Sequence, residues 1–310
     1  MDSQYDIVIA GGGLAGLTAG VTAARLGRKT LVLTGDVIGG QLISIEKIEG
    51  FPGFPEGVPG YDLGPMTQEE AMTAGAEFAA TELAKIVQEG KGWRLTTGEG
   101  EVAARAVVLA SGASLKELDV PGEARLRGQG VSHCASCDAP LLRQKVAAVI
   151  GGGDSAMQEA LTLAQHVAQV LMLTHGPELS GQASYRARVQ QEGKIKVTCN
   201  VEVQEILGDT KVSGLRMRDM SDGKVSELSA DAVFVYIGLK PNTAFLNGGI
   251  RLDASGGILT DGWMRTELPG VCAAGTVRSG SPCRAASSAG DGATAAIAVD
   301  RYLAEGVWRQ

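Results

Sequence analysis

Cys134-Ala135-Ser136-Cys137-Asp138, then Val146-Ala147-Ala148-Val149-Ile150, then Gly151-Gly152-Gly153-Asp154-Ser155-Ala156: the reading of this stretch decides the fold. Two thiols separated by two residues can reach one another and close a disulfide, which makes them a two-electron device. A short apolar run that ends in a glycine loop and then opens a helix is a site for a dinucleotide pyrophosphate. Its glycines let the backbone approach the phosphates, and the helix N-terminus offers unpaired N–H groups to them. Their closeness in sequence points to one electron path, from dinucleotide to dithiol.

Working outward, the strand–glycine–helix unit occurs once more, at the N-terminus. Residues 6–10 read as a buried strand, Gly11-Gly12-Gly13-Leu14-Ala15-Gly16 as the loop, and an apolar helix follows to Leu26. Leu14, Leu17, Val21 and Ala24 share one helical face, Gly27 suits a left-handed cap, and residues 29–33 return as a strand. A GxGxxG alone is weak evidence; lying between strand and helix it is strong. The acid usual about 20 residues on is missing, so a ribose contact falls to Thr34, Asp36 or backbone. Gly39-Gly40-Gln41-Leu42 and Glu49-Gly50-Phe51-Pro52-Gly53 are loops. Residues 65–80 read as a helix, 83–109 as a small antiparallel sheet returning to the core at 107–110, and 118–122 as a crossing between domains. Behind the second loop, Met157, Ala160, Leu161 and Ala164 face the sheet, and 169–173, 196–203, 212–217 and 233–236 supply strands. Gly238-Leu239-Lys240-Pro241-Asn242-Thr243 marks a second crossing. The tail gives a strand at 271–274, a turn at Gly275 and a helix over 285–303.

A chain of 310 residues with 44 glycines and 44% hydrophobic content fits two α/β domains. A net charge of −7 argues against a nucleic-acid partner. No apolar run approaches the roughly 18–20 residues a membrane helix needs. Met1-Asp2-Ser3-Gln4-Tyr5 lacks the basic start of a signal peptide, so the chain reads as cytoplasmic with no membrane contact. Five cysteines are too few and scattered for a secreted disulfide scaffold. Zinc at Cys134 and Cys137 would want two more ligands at comparable spacing, and His133 is a lone candidate beside them. A free thiol of pKa ~8.5 is only a few per cent thiolate at pH 7, so a helix start that lowers it gains about tenfold in reactive form. The Asp138-Ala139-Pro140 turn reads as that helix start, and His133 as a surface residue. Cys199 and Cys272 read as small core residues in apolar strands.

With both glycine loops, the dithiol between them and Ile237-Gly238…Pro241-Asn242-Thr243, the chain resembles the low-molecular-weight thioredoxin reductases. These are the class II, FAD-dependent pyridine nucleotide-disulfide oxidoreductases, and the resemblance runs essentially end to end. It implies an α/β fold of two Rossmann-like three-layer nucleotide-binding domains, the second inserted into the first. Residues 1–114 and 242–310 would bind FAD, and 115–241 would be a pyridine-nucleotide-type domain carrying the dithiol. FAD contacts implied are Gly11, Gly13, Leu14, Ala15, Gly16, Thr34, Gly35, Gly39, Gly40, Gln41, Leu42, Ala110, Ser111, Gly112, Gly275, Thr276, Cys283, Arg284 and Ala285. Gly151, Gly153, Asp154, Ser155 and Ala156 would meet NAD(P)H. In the family pattern Cys137 faces the flavin, Cys134 attacks the partner's disulfide, and Asp138 is the acid/base that protonates the leaving thiolate. Relatives are homodimers whose inserted domain swings, which implies a homodimer here.

Two departures qualify the resemblance. Relatives that use NADPH carry a His-Arg-Arg…Arg pattern for the 2′-phosphate, whereas Thr174-His175-Gly176-Pro177-Glu178-Leu179-Ser180 holds no arginine. Losing two charged hydrogen bonds removes roughly 3–6 kcal/mol, on the order of 10²–10⁴ in affinity. The stretch is similar to that of the NADH-using flavoprotein of alkyl hydroperoxide reductase. Gly275-Thr276 stands where the family has Gly-Asp on the ribityl chain, Gly50 where it has asparagine, and Arg278 and Arg284 are candidates for the pyrophosphate. The expected activity is an FAD-dependent dithiol–disulfide oxidoreductase acting on a thioredoxin-like protein or a small-molecule disulfide or dithiol. Its donor is left among NADH, NADPH and a ferredoxin. The rivals are a dithiol oxidase that uses O₂ and a flavin-bound redox sensor.

Overall fold

A computed structural model describes residues 4–308; Met1 to Ser3, where the reading for a signal peptide begins, lie outside the described residues. β1 (Gln4–Ala10), α1 (Leu14–Arg25) and β2 (Thr30–Leu33) form the first strand–helix–strand unit, with β1 and β2 parallel. Gly27 takes the left-handed conformation just past the helix end (φ 77°). The helix expected over 65–80 is instead α2 (Gly60–Thr73), which starts after Pro59 and keeps Pro65 inside it. Pro65 forfeits one backbone bond, and the surrounding turns hold the helix across it. The alanine-rich end of that stretch becomes β3 (Glu77–Ala79), paired in parallel with β2, because edge pairing outweighs the helical propensity of alanine.

β4 (Leu83–Glu89), β5 (Gly92–Thr97) and β6 (Gly100–Leu109) run as an antiparallel meander, and β6 then lies parallel beside β1. β7 (Ala113–Leu115) leads out of this unit. The segment 118–122, expected to be the crossing, lies wholly inside the next unit: Pro121 O accepts the N–H of Ile206, and Leu118 and Val120 pack on its core.

That unit holds β8 (Val131–Ser132), α3 (Ala135–Asp138), β9 (Val146–Ile150), α4 (Asp154–Ala164), β10 (Gln169–Leu173), α5 (Ala183–Gln191) and β11 (Ile195–Thr198). After them come β12 (Val201–Leu207), β13 (Gly214–Asp219), β14 (Val225–Ser229) and β15 (Ala232–Val235), and β16 (Leu239–Pro241) leads back out. A parallel sheet, β11-β10-β9-β15-β8, is accompanied by a separate antiparallel sheet, β12-β13-β14. The single strand expected over 196–203 is therefore two strands in different sheets. The break falls at Asn200, whose φ of 57° turns the chain, and Cys199 lies in that break, not in a strand. The chain returns through β17 (Val271–Ala273), parallel to β6, and ends in α6 (Ala285–Glu305).

The chain divides into two compact units, Met1–Ser114 with Lys240–Gln310, and Leu115–Leu239. Each is layered alike, because a central parallel strand buries both faces. In β1, Ile7 and Ile9 pack with Ala15, Ala19 and the α6 alanines, while Val8 and Ala10 pack with Trp93 and Leu95 of the meander. In β9, Ala147 and Val149 pack with Met157 and Ala160 of α4, while Ala148 and Ile150 pack with Val203 and Leu215. Helix layer, parallel sheet and antiparallel sheet thus repeat, as two Rossmann-like three-layer units require. Among the described residues no helix is long and apolar enough to cross a membrane.

Candidate active site: the dithiol turn and two glycine loops

Cys134 and Cys137 are joined in a disulfide, with Cα atoms 5.3 Å apart. Cys134 is the N-cap of α3, in extended conformation, and its sulfur accepts the backbone N–H of Cys137 at 3.3 Å. Ser136 Oγ lies 3.5 Å from the same sulfur, and Cys134 N donates to Ser132 Oγ at 3.2 Å. A 3₁₀ turn (Ala139–Leu142) does start at Asp138, with Pro140 in its first turn, as expected, but a helical turn already begins four residues earlier, at Cys134. A backbone N–H and a hydroxyl thus converge on the Cys134 sulfur. Ala135 and Ala139, both fully buried, seat the turn on the core beneath α4. Leu141, just beyond it, is 81% exposed.

Under the turn, Tyr236 and Glu159 are both buried. Burial first, and then the charge of Glu159, push the Tyr236 phenol well above its usual range, so it stays neutral. Half-buried His133 is not the surface residue expected: its Nε2 is buried, with no hydrogen-bond partner among the described residues. Burial, and then the nearby Arg127, lower its pKa, so the ring is neutral. Its charged neighbours are Arg127, Glu123 and Glu117.

At the first loop, a Cβ on Gly11 would lie 2.1 Å from Ala110 O, one on Gly12 2.9 Å from the Thr34 backbone, and one on Gly16 1.9 Å from Gly11 O. Gly13 alone faces open space. It is the N-cap of α1, with no capping side chain and no acid in the first turn, so that turn keeps its N–H groups for an anion. Gly39 N donates to Gly12 O (2.8 Å), and Gly40 packs beside Gly13. Gln41 donates its amide to Ala113 O, and Leu42 packs on Leu14 in a small buried cluster. Asn242 binds Ser111 O through its amide (3.0 Å), and its own O accepts the Ser111 hydroxyl (2.8 Å). Thr34 donates its hydroxyl to backbone carbonyls of Gly35 and Ala79, so that proton is already used. The carboxylate of Glu82, 3.3 Å from where a Gly35 Cβ would be, stands at the end of β2. No spacing in the sequence announces it, because it arrives on the turn after β3.

The second loop repeats this geometry. A Cβ on Gly151 would lie 2.2 Å from Tyr236 O, one on Gly152 2.5 Å from Thr174 Oγ1, and Gly153 is open at the N-cap of α4. It differs in Asp154, whose carboxylate accepts Gln182 N at 2.6 Å and so ties the start of α5 to the loop. Thr174 is buried, and His175 and Glu178 are exposed.

The sequence pattern described as pyridine nucleotide-disulphide oxidoreductase matches residues 5–293. The chain belongs to the pyridine nucleotide-disulphide oxidoreductase family. The thioredoxin reductase of Treponema pallidum (strain Nichols) is 37% identical over 303 residues, covering 98% of each chain. Two solved thioredoxin reductases superpose with a TM-score of 0.94. That of Lactococcus lactis, in the FR conformation, is 35% identical and is matched over 97% of this chain and 99% of its own. That of T. acidophilum is 32% identical, over 98% and 100%.

This member of the pyridine nucleotide-disulphide oxidoreductase family has an unexpected arrangement in its tail. Arg278 is not available to a pyrophosphate: its guanidinium grips Asp291 through Nε (2.6 Å) and Nη2 (3.0 Å), with both side chains largely buried. Asp291 also accepts Gly275 N at 3.1 Å. Thr276 Oγ1 lies 3.5 Å from where a Gly112 Cβ would be. Arg284 is the N-cap of α6, and Ala285 packs with Leu14 and Leu42. Exposed Cys283 has a φ of 53°, and its thiol donates to Ser281 O at 3.5 Å. Gly11 to Gly13, Ala15, Gly39 and Gly40, Ala110 to Gly112, and Gly275 and Thr276 thus lie close together about the start of α1, whereas Thr34 and Leu42 are spent on the fold. Cys272 is fully buried, and burial pushes its thiol well up, leaving it inert.

Proposed function

We propose that this chain is an FAD-dependent dithiol–disulfide oxidoreductase that passes two electrons through Cys137 and Cys134 to the disulfide of a thioredoxin-like protein. The disulfide-bonded pair on a turn that aims the Cys137 N–H at the Cys134 sulfur carries this reading. The full-length likeness to proteins named thioredoxin reductase supports it. The first loop fits a dinucleotide: a cradle of glycines that side chains would fill, one open position at Gly13, and an uncapped helix start. Gly11 to Gly16, Gly39, Gly40, Ser111, Gly112 and the Gly275-Thr276 turn would hold FAD there, with Glu82 near its ribose. FAD, when bound, supplies the two-electron carrier that restores the dithiol.

Reduced Cys134, as thiolate, attacks one sulfur of the partner's disulfide; a mixed disulfide forms and one partner thiolate leaves, protonated by Asp138. Cys137 then attacks Cys134 Sγ, which re-forms the Cys134–Cys137 disulfide and releases the second partner thiol. The dithiol is oxidised, the partner disulfide reduced, and the two thiol protons end on the partner. The second loop would take the nicotinamide donor, without the arginine grip on a 2′-phosphate, so NADPH is not preferred over NADH. We further propose a homodimer, and a partner surface that includes Leu141. Leu141 is exposed and only four residues beyond Cys137, so a partner that reaches the dithiol would cover it. Leu141→Glu is expected to raise KM for thioredoxin about tenfold, the loss of one buried leucine, with the rate of reaction toward a small disulfide unchanged; steady-state kinetics with both substrates check it.

The test is anaerobic. The purified flavoprotein is photoreduced and oxidised thioredoxin added; the flavin absorbance is expected to return with stoichiometric thioredoxin thiols. A flavin that stays bleached would refute the assignment. The missing arginines also favour one rival, an O₂-using dithiol oxidase, which oxygen uptake with a dithiol and no nicotinamide would reveal.

A further inference from the structure

The position that the resemblance fills with an acid, 276, is threonine here, yet a carboxylate has not left the neighbourhood. Asp291 is 6% exposed and points at the same turn from behind, from within α6. All three hydrogen bonds to its oxygens come from the turn it backs: Gly275 N, Arg278 Nε and Arg278 Nη2. That turn is tightly constrained. Gly275 has φ 79°, and a Cβ on it would lie 2.8 Å from Ala15 Cβ, in the first turn of α1. A Cβ on Gly292, the residue after Asp291, would lie 2.1 Å from Ala15 O. The buried carboxylate, the tail turn and the anion-binding end of α1 are therefore packed as one block.

Two physical consequences follow. A buried charge is tolerated only when paired and fully hydrogen-bonded, and Arg278 does both for Asp291. An unpaired carboxylate in this block would also repel the diphosphate that the first loop is shaped to receive. Arg278 cancels that charge, so the pair presents the groove with fixed backbone donors and no net charge.

We propose that the Asp291–Arg278 ion pair is the positioning device for FAD in this chain, holding the Gly275-Thr276 turn from behind while Thr276 faces the cofactor in place of an acid. The inference rests on the first loop being the FAD site, and it adds Asp291 and Arg278 as residues that act through Gly275 and Thr276, not by touching the cofactor.

The experiment uses the full chain, stripped of cofactor and titrated with FAD by quenching of flavin fluorescence, beside thermal unfolding of each apoprotein. Asp291→Asn keeps the shape and an acceptor for Gly275 N but loses the ionic grip that fixes the turn; FAD affinity is expected to fall about tenfold, the loss of a fixed turn outweighing the pull of the freed Arg278 on the diphosphate. Arg278→Leu leaves the carboxylate uncompensated and is expected to weaken FAD further than Asp291→Asn does. The double variant is expected to bind FAD more tightly than Arg278→Leu alone, because the repelling charge is gone. Titrated at a temperature where every apoprotein is fully folded, that recovery in affinity is a signature a purely structural ion pair would not produce at the flavin. Arg278→Leu and the double variant binding alike would overturn the proposal, as would Asp291→Asn binding FAD like the wild type. Should Asp291→Asn fail to fold, Arg278→Leu decides: wild-type affinity in it overturns the proposal. Wild-type apoprotein that takes up no FAD would instead overturn the FAD assignment itself, and this inference with it.

Discussion

Cys134→Ser is expected to lower the rate of thioredoxin reduction at least about a thousandfold, because a serine hydroxyl can neither ionise to a thiolate nor enter a mixed disulfide. The protein should remain folded. The bridge spans a sequence separation of only 3, so its loss changes the entropy of the unfolded chain little. Ala135 and Ala139, which anchor the turn, are untouched. Cys137→Ser should fail differently. Cys134 keeps the N–H of residue 137 at its sulfur, a backbone donor that the substitution does not remove. It can still attack the partner, but nothing resolves the product, so a stoichiometric mixed disulfide should accumulate. Non-reducing electrophoresis after one turnover, beside stopped-flow kinetics, separates the two. A stable mixed disulfide with Cys134→Ser in place of Cys137→Ser would exchange the two roles.

What could be read in the sequence was what local chemistry dictates. A glycine after a buried strand, repeated at Gly11 and Gly151, announces a backbone that must pass another backbone closely, and both glycines do so, against Ala110 O and Tyr236 O. The unbroken apolar runs of β1 (residues 7–10) and β9 likewise foretold two buried faces. The features missed depend on how elements fold back on one another or compete. Arg278 and Asp291 meet only because α6 folds back over the tail turn. Glu82 reaches Gly35 from across β3, so it has no position in the glycine fingerprint. Asn200 breaks the alternating stretch 196–203, whose two halves are drawn into different sheets, which the pattern of apolar residues alone does not register. The helix start at Cys134 was masked by Pro140, a stronger local signal that proved to lie in the following turn, Ala139–Leu142.

The two glycines at either end of the first loop's helix start should behave oppositely when each is changed to alanine, because one is small for the fold and the other for the ligand. Gly16 lies within α1, where alanine is favoured by about 1 kcal/mol in an exposed helix. Its Cβ, however, would lie 1.9 Å from Gly11 O, and the obstacle is backbone, not a flexible side-chain end. The loop must move off the helix or the helix off the sheet. Gly16→Ala is therefore expected to destabilise even the apoprotein by about 3 kcal/mol or more, the upper range for overpacking, and to abolish cofactor retention with it. Gly13 has an extended backbone, φ −78° and ψ 177°, that alanine adopts freely, and nothing lies within 4 Å of its Cβ position. Gly13→Ala should leave the apoprotein's thermal unfolding unchanged while lowering FAD affinity by about tenfold to a hundredfold, the value of one displaced charge-assisted bond. Thermal scans with and without added FAD check both. A Gly13→Ala protein that binds FAD with full affinity would mean that the open space is not where the pyrophosphate sits, and the cofactor would have to be sought away from α1.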